Sequence, residues 1–332
     1  MTLGVLVVGA GFIADEHIRA LSASGRASLV GLVDTVADRA AASAGSHGGV
    51  RWDTELTAAL TWPEVDAVVV CTPNDSHAEI GIAVAAAGKH LLVEKPLATT
   101  VSDAQALAAH FAATDRVLSV AHTHRCYDYG RAVKDAIEDG AIGRPVFARL
   151  AILGGWIWPD WRSWILDPAR SGGHSLHNGV HLLDLVTWWL DDQPISVFAR
   201  GRKQTAAELE IYDYLEMVVS YENGGTAVCE MSRAHRPGSF AHRDVSVYGS
   251  DGTLAQEWDG ESSLLFSESG ASTVPAAGSN GFAVQLESWL DAIAGGQPAT
   301  SPQDGVLAVA MGVAAERSIA SGEPIPLAEV LS

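Results

Sequence analysis

With 332 residues the chain is long enough for about two domains of roughly 150 residues, each with a sizeable core, which excludes a lone small module. A composition of 48% apolar and 18% charged residues, with 33 Gly and only 13 Pro, is globular rather than disordered or fibrous. The 40 acidic residues against 21 basic ones leave a formal charge of -19, a surface that repels phosphate backbones and anionic lipid, so nucleic acid and membranes are excluded as expected partners.

Residues 3–8 are a continuous apolar run, the pattern of a parallel strand covered on both faces by helices. The run has no basic lead-in, so no signal peptide is read there. It leads into Gly9-Ala10-Gly11-Phe12-Ile13-Ala14 and a helix-compatible stretch to about Ser24. In such a turn Gly9 permits the tight bend and Gly11 lets the backbone approach a pyrophosphate. Ala14 lets the helix pack closely on the strand, with the phosphate on the helix N-terminus. The alternative for so short a motif is a plain glycine turn.

A second strand, Ser28–Val33, ends at Asp34, twenty residues past Ala14. An acid there binds the adenosine ribose hydroxyls and repels a ribose phosphate, which favours NAD over NADP. Asp38 and Arg39 follow in helical register, so Asp34 also reads as an ordinary helix N-cap. A third strand, Asp66–Cys71, ends in Thr72-Pro73-Asn74-Asp75-Ser76-His77 and a helix to about Gly88. The next strand, His90–Val93, delivers Glu94-Lys95-Pro96. Strand, turn and helix recur regularly, which predicts an open doubly wound sheet with ligands beyond the carboxyl ends of its strands. Gly9, Asp34, Thr72, Pro73, Asn74 and Lys95 all fall at such ends, so one pocket can contain them.

From about Arg144 the pattern turns to alternating segments, Val146–Ile152 and Tyr214–Tyr221, the latter joined to Thr226–Glu230 by the hairpin signal Glu222-Asn223-Gly224-Gly225. Asp244–Tyr248 followed by Gly249-Ser250-Asp251-Gly252 reads similarly. The stretch around 268–280 is the most loop-like. Four of the ten Trp fall between Trp156 and Trp164, in Trp156-Ile157-Trp158-Pro159-Asp160-Trp161-Arg162-Ser163-Trp164. Indole faces pack on the C–H faces of pyranose rings, and Arg162 and Asp160 can bind hydroxyls, or Arg162 an acid group; the alternative is a hydrophobic plug. His177, His181 and Asp184 stand at i, i+4 and i+7, one polar stripe on a helix otherwise lined by Leu and Val. A stripe of this kind is costly unless satisfied or used, so the histidines read either as hydrogen-bonded core residues or as site residues. With His122, His124 or His174 they also offer N/O ligands for a divalent metal, although the expectation adopted is no metal. Leu286, Trp289, Leu290 and Ile293 recur at helical spacing and are assigned to the core. Cys71, Cys126 and Cys229 are scattered and without C-x-x-C spacing, and no apolar run approaches the ~18 residues of a membrane helix. A cytoplasmic protein is expected.

Taken together, Gly9-x-Gly11-x-x-Ala14, Thr72-Pro73-Asn74-x-x-His77, Glu94-Lys95-Pro96, Gly172-Gly173, Gly179-x-His181-x-x-Asp184 and Asp304-Gly305 resemble the glucose-fructose oxidoreductase and inositol dehydrogenase family, Gfo/Idh/MocA, over nearly the whole chain. The resemblance implies an α/β protein with an N-terminal Rossmann domain, 1–124, that binds NAD(P). The substrate-binding and oligomerisation domain, 125–332, is then α+β, built on a large, mostly antiparallel open sheet that supports a homodimer or homotetramer. It assigns catalysis to Lys95 and His181, with Lys95 sharing the substrate proton and His181 acting as base. Cofactor binding falls to Gly9, Gly11, Phe12, Ile13, Asp34, Thr72, Pro73, Asn74, His77, Glu94 and Lys95, with the Lys95-Pro96 bond often cis. Substrate binding falls to His177, Trp161, Arg162, Asp184 and Arg125. Two positions depart from the family pattern: His177 stands where Asp is usual, and His122-Thr123-His124-Arg125 stands where Asn-Arg-Arg is frequent.

The expected activity is hydride transfer between NAD and a secondary hydroxyl or ketone of a sugar, glycoside or cyclitol. Two other readings stay open: a glycoside-cleaving enzyme that keeps NAD bound through a transient oxidation and elimination, and a non-catalytic NAD-binding regulator. The latter has no use for Lys95 and His181.

Overall fold

A computed structural model describes residues 2–155, 163–205, 207–257, 262–267, 270–275 and 280–332. The chain forms two compact units, residues 1–126 with 279–306 and residues 127–278 with 307–332.

The first unit is a six-stranded parallel sheet: β1 (Leu3–Val8), β2 (Ala27–Val33), β3 (Arg51–Asp53), β4 (Ala67–Val70), β5 (His90–Glu94) and β6 (Leu118–Ala121), in the order β3-β2-β1-β4-β5-β6. The apolar runs become central strands because helices cover both faces. Val5, Leu6, Val7, Val68, Leu91, Leu92 and Val93 are fully buried, each contributing roughly 1.5–3 kcal/mol. Strand order reverses between β1 and β4, where an open sheet of this kind has its ligand crevice. Residues 279–306 return to this unit although they lie far beyond residue 124. The helix Gly281–Ile293, capped by the Asn280 side chain on the Phe282 and Ala283 N–H groups, packs on the helix Phe12–Ala23. Leu286, Trp289 and Leu290 form its buried face and Ile293 is half-buried at the edge.

The second unit is a nine-stranded mixed sheet. In chain order its strands are β7 (Pro145–Gly155), β8 (Pro194–Arg202), β9 (Tyr214–Tyr221), β10 (Thr226–His235), β11 (Ala241–Gly249), β12 (Gly252–Glu257), β13 (Ser262–Ser267), β14 (Gly270–Pro275) and β15 (Ile325–Pro326). They lie in the order β14-β13-β12-β11-β7-β10-β9-β8-β15, antiparallel except for the central pair β7 and β10. Both expected hairpins, β9–β10 and β11–β12, form. The expectation of a loop around 268–280 is corrected: Gly270–Pro275 is a strand, paired in register with β13. Its Gly, Ala and Ser residues carry little strand preference of their own, and the ladder supplies what composition does not.

One helical expectation also changes. Ser175–Gly179 is a turn of π-helix, and the α-helix proper runs over Val180–Leu190. His177 therefore sits in a wider turn than His181 and Asp184, and the regular i, i+4, i+7 stripe is broken at its start. Such turns occur mostly as single insertions at functional sites. Gly179, whose Cβ would press on Met217 of β9 at 3.2 Å, lets this turn lie close on the sheet.

Candidate functional site

In the first unit the crevice at the switch point is shaped by backbone. Gly9 has φ of +92°, and a Cβ there would stand 2.7 Å from the Cys71 carbonyl oxygen at the end of β4. Only glycine combines that conformation with that approach. The helix Phe12–Ala23 begins at Gly11 with no side-chain cap, so its first N–H groups face outward in the manner of a dinucleotide phosphate cradle. Phe12 is 61% exposed beside this turn and Ile13 is half-buried. Asp34 accepts the Ala10 N–H on Oδ2 and the Val36 N–H on Oδ1, both at 2.9 Å, and pairs with Arg39 Nε at 3.0 Å. It thus ties the end of β2 to the glycine turn. The residues fit a dinucleotide: an uncapped helix start, a glycine cradle that a Cβ would fill, and an acid held at the neighbouring strand end.

Lys95, half-buried, follows β5 on a turn built by two buried histidines, with the Lys95–Pro96 peptide cis. His17 Nε2 lies 2.7 Å from Glu94 Oε1, and the two side chains are only 3% and 9% exposed. Burial by itself raises a carboxyl pKa, but the His17 hydrogen bond and the charge of Lys95 outweigh it and hold Glu94 below the usual range. His77 presents Nδ1 to the Pro96 carbonyl at 2.7 Å and Nε2 to the Thr72 carbonyl at 2.9 Å, joining the turns after β4 and β5. A neutral ring donates to one of them, a protonated ring to both. Burial pushes its pKa down, against those two carbonyls. Asn74 is buried in the 3-10 turn after Pro73, where Ser76 donates to Thr72 Oγ1 or to the Pro73 carbonyl, each at 2.7 Å. Arg125, 6% exposed in its side chain, pairs with Asp304 at 3.2 Å and donates to the Ala299 carbonyl. Asp304 is held below its usual pKa: burial opposes this, and the Arg125 charge and the Ser301 hydrogen bonds prevail. The Arg125 guanidinium is therefore engaged within the protein, closing the segment after β6 against residues 299–304.

In the second unit His177 and Asp184 are buried and His181 is half-buried. The Trp164 ring meets His177 edge-on at 5.5 Å between centroids and packs with Leu166 and Leu209 on Ile165 and Ile211. Trp156 to Arg162, including the predicted Trp161 and Arg162, lie outside the described residues. Glu316 accepts the Ser175 N–H at 3.1 Å at the start of the π turn. Burial raises its carboxyl pKa, partly offset by Ser175. The sequence reading missed His17, Glu316 and the Arg125–Asp304 pair. His17 lies on the helix after the glycine turn and Glu94 at the end of β5, and only the fold brings the two together.

A dinucleotide cradle on a parallel sheet, with a lysine turn at the end of a neighbouring strand, defines a nucleotide-dependent oxidoreductase. Residues 3–122 match the model of the oxidoreductase family with an NAD-binding Rossmann fold, and residues 131–255 match the Gfo/Idh/MocA C-terminal domain. The chain belongs to the Gfo/Idh/MocA family and is an NAD-binding oxidoreductase. It is 32% identical over 326 residues to 1,5-anhydro-D-fructose reductase of Ensifer adhaerens, covering 96% of each chain. It is 29% identical to inositol 2-dehydrogenase of Rhizobium meliloti (strain 1021), covering 99% of this chain and 100% of that one. Among solved structures, an oxidoreductase domain protein from Kribbella flavida superposes with a TM-score of 0.89 at 27% identity, covering 98% of this chain and 99% of that one.

Proposed function

We propose that the chain transfers hydride between NAD and a secondary hydroxyl or ketone of a sugar, glycoside or cyclitol. The observation that carries this reading is the Lys95 turn: a lysine at the carboxyl end of β5, on the sheet whose β1 end forms the glycine cradle, fixed by the buried His17–Glu94 bond. The relatives that act on an anhydro-sugar and on inositol support the substrate class.

NAD supplies the hydride acceptor, and the protein must handle the hydroxyl proton. His181 takes that proton as base, imidazole being the side chain that ordinarily changes charge near neutral pH, and Lys95 shares it. His177, Asp184, Trp161 and Arg162 orient the hydroxylated ring. Arg125 serves this set indirectly, by holding the segment that carries His122 and His124. Gly9, Gly11, Phe12 and Ile13 receive the pyrophosphate, Asp34 the adenosine ribose, and Thr72, Pro73, Asn74, His77 and Glu94 the nicotinamide end. The split of labour at residue 124, cofactor before it and substrate after it, belongs to the same proposal. So does a cytoplasmic home, supported by three buried thiols and by the lack, among the described residues, of a helix long and apolar enough to cross a membrane.

A homodimer or homotetramer through the open sheet face is part of the reading. Phe198, Val218 and Val228 stand side by side, half-buried, across β8, β9 and β10, near the stacked pair Phe147 and Tyr248. An apolar row of this kind on a sheet face suits a second copy. Light scattering of the purified protein measures the assembly; a monomer at micromolar concentration removes this part.

The central test is a cofactor-reduction screen over pyranoses, glycosides and inositols with NAD and with NADP. NADH accumulation with at least one of them is expected. Glycoside cleavage without net NADH turns the assignment to the oxidation–elimination route, and no turnover or product in any arm rejects the enzyme reading.

A further inference from the structure

Acids outnumber bases almost two to one in this chain, and several arginines meet them: Arg26, Arg39, Arg51, Arg125, Arg131 and Arg149 each pair with a carboxylate. Arg233 does not. Among the described residues its guanidinium makes no hydrogen bond and no ion pair, and its Nε is fully buried. Its backbone N–H donates to the Asp213 carbonyl, but the Asp213 carboxylate accepts from the amides of Gln204 and Thr205 instead. Two residues on, His235 Nε2 is likewise buried without a partner. A partly buried cation with no counter-charge is a standing cost to the fold, and a ligand that supplies the missing charge relieves it.

The local backbone is arranged around this side chain. Arg233 falls in a bulge of β10, where the register against β7 shifts between Ser232 and His235. Bulges of this kind re-aim side chains beside functional sites. The guanidinium lies across Gly154 of β7, where any Cβ would overlap Arg233 Nη1. Gly154 and Ile152 share one face of β7, and Arg243 of β11 is the register partner of Ile152, so Arg233 and Arg243 flank β7 on the same face. Arg243 lies 3.6 Å from the centroid of the Tyr129 ring. The π turn that carries His177 packs on that face too, through Gly179 against Met217, whose β10 partner Cys229 stands two residues before Met231, the register neighbour of Ile152.

We propose that Arg233, with the charge of Arg243 on the same face of β7, recognises an anionic substituent, carboxylate or phosphate, on the carbohydrate substrate. This rests on the reading of the second unit as the substrate-binding part. A guanidinium fork matches an oxyanion in two parallel hydrogen bonds and discriminates it from a neutral hydroxymethyl group.

The test uses matched pairs: glucose with glucuronate, glucose with glucose 6-phosphate, and glucitol with gluconate. For the wild-type protein kcat/KM favours the anionic member of at least one pair by about 10- to 100-fold, as expected for charge-assisted bonds, and the pair that responds tells carboxylate from phosphate. In Arg233→Gln that ratio falls to about one, and in Arg233→Lys it is intermediate. Arg233→Met raises the ligand-free melting temperature, because an uncompensated cation has gone. A ratio that never favours the anion, or that survives Arg233→Gln, overturns the inference, as does a fall in melting temperature of Arg233→Met with the ratio untouched, which makes Arg233 a packing residue. Should no sugar turn over, the proposed function fails on its own, and thermal shifts with glucuronate, gluconate and glucose 6-phosphate still decide the inference. A gain in wild type that Arg233→Gln lacks upholds it; no gain, or an equal gain, overturns it.

Discussion

The two units treat their buried charges in opposite ways. Around the Lys95 turn every named buried group answers another within the chain: His17 answers Glu94, His77 answers Thr72 and Pro96, and Arg125 answers Asp304. On the helix-covered face of the second sheet Arg233 keeps a buried nitrogen that no described residue answers. The difference teaches how binding work divides in such a protein. Around the Lys95 turn the chain answers its own buried charges and leaves the cradle of backbone N–H groups at the glycine turn open. Under the proposed function, a unit that tells related rings apart keeps unspent donors and meets their cost in stability.

The largest test of this contrast is Lys95→Met. Because His17 and His77 hold the turn, the variant keeps NAD affinity within a few-fold while turnover drops by about 10²- to 10⁴-fold, the usual scale of a lost proton-transfer group. Binding titration and steady-state kinetics separate the two, and wild-type turnover in this variant removes Lys95 from the chemistry. Next in size is His17→Phe, which leaves the Glu94 carboxylate buried without its main partner. Urea unfolding should show a loss of roughly 3–5 kcal/mol, and a loss under 1 kcal/mol means that Glu94 finds another donor. Asp34→Ser comes third: it removes the acid that meets the ribose and frees Arg39, so the KM for NAD rises by about tenfold and the preference over NADP narrows.

The smallest effect sharpens the comparison through its sign. In the first unit the pKa values of Glu94 and Asp304 are lowered, so the stability they give is present above the ordinary carboxylate range and is lost as pH falls through their depressed values. His77 is also lowered, from 6.5, so acidification below that value already favours the unfolded chain. Glu316 in the second unit is raised from 4.5, so its contribution is full below that pH and fades as pH rises through the raised value. Glu316→Gln should therefore flatten the stability curve on the alkaline side of 4.5, whereas Glu94→Gln flattens it on the acid side. Chemical denaturation across pH 3 to 8, a window about two units either side of those values, reads both slopes, and equal signs break the contrast.

Much of the fold was legible because its signals are local. The continuous runs 3–8 and 90–93 read as buried parallel strands, and Asn223-Gly224 between alternating segments read as a hairpin. The position of Asp34 at the end of β2 was legible because the strand before it is a local run, and its partners Ala10 and Val36 belong to the turns beside it. The rest depends on distances that no local pattern carries. His17 and Glu94 meet across 77 residues of sequence, Arg125 and Asp304 across still more, and Arg233 stands out only once the fold shows its Nε enclosed without a hydrogen bond among the described residues. The π turn at Ser175–Gly179 escaped for another reason: periodicity assumes one helical pitch, and here the pitch changes at the residue of interest.

The return of residues 279–306 to the first unit bears on how the protein is made. On a ribosome adding about 5–20 residues per second, the six-stranded sheet is complete long before the helix Gly281–Ile293 emerges, since residues 127–278 come between. For roughly 8–30 s the helix Phe12–Ala23 waits without its cover, and His17 without the Phe282 ring that stands edge-on at 5.1 Å. The nascent first unit thus presents an apolar flank until residues 279–306 emerge to cover it. The same connectivity means that a fragment ending near residue 126 would be a poor stand-in for the NAD-binding unit.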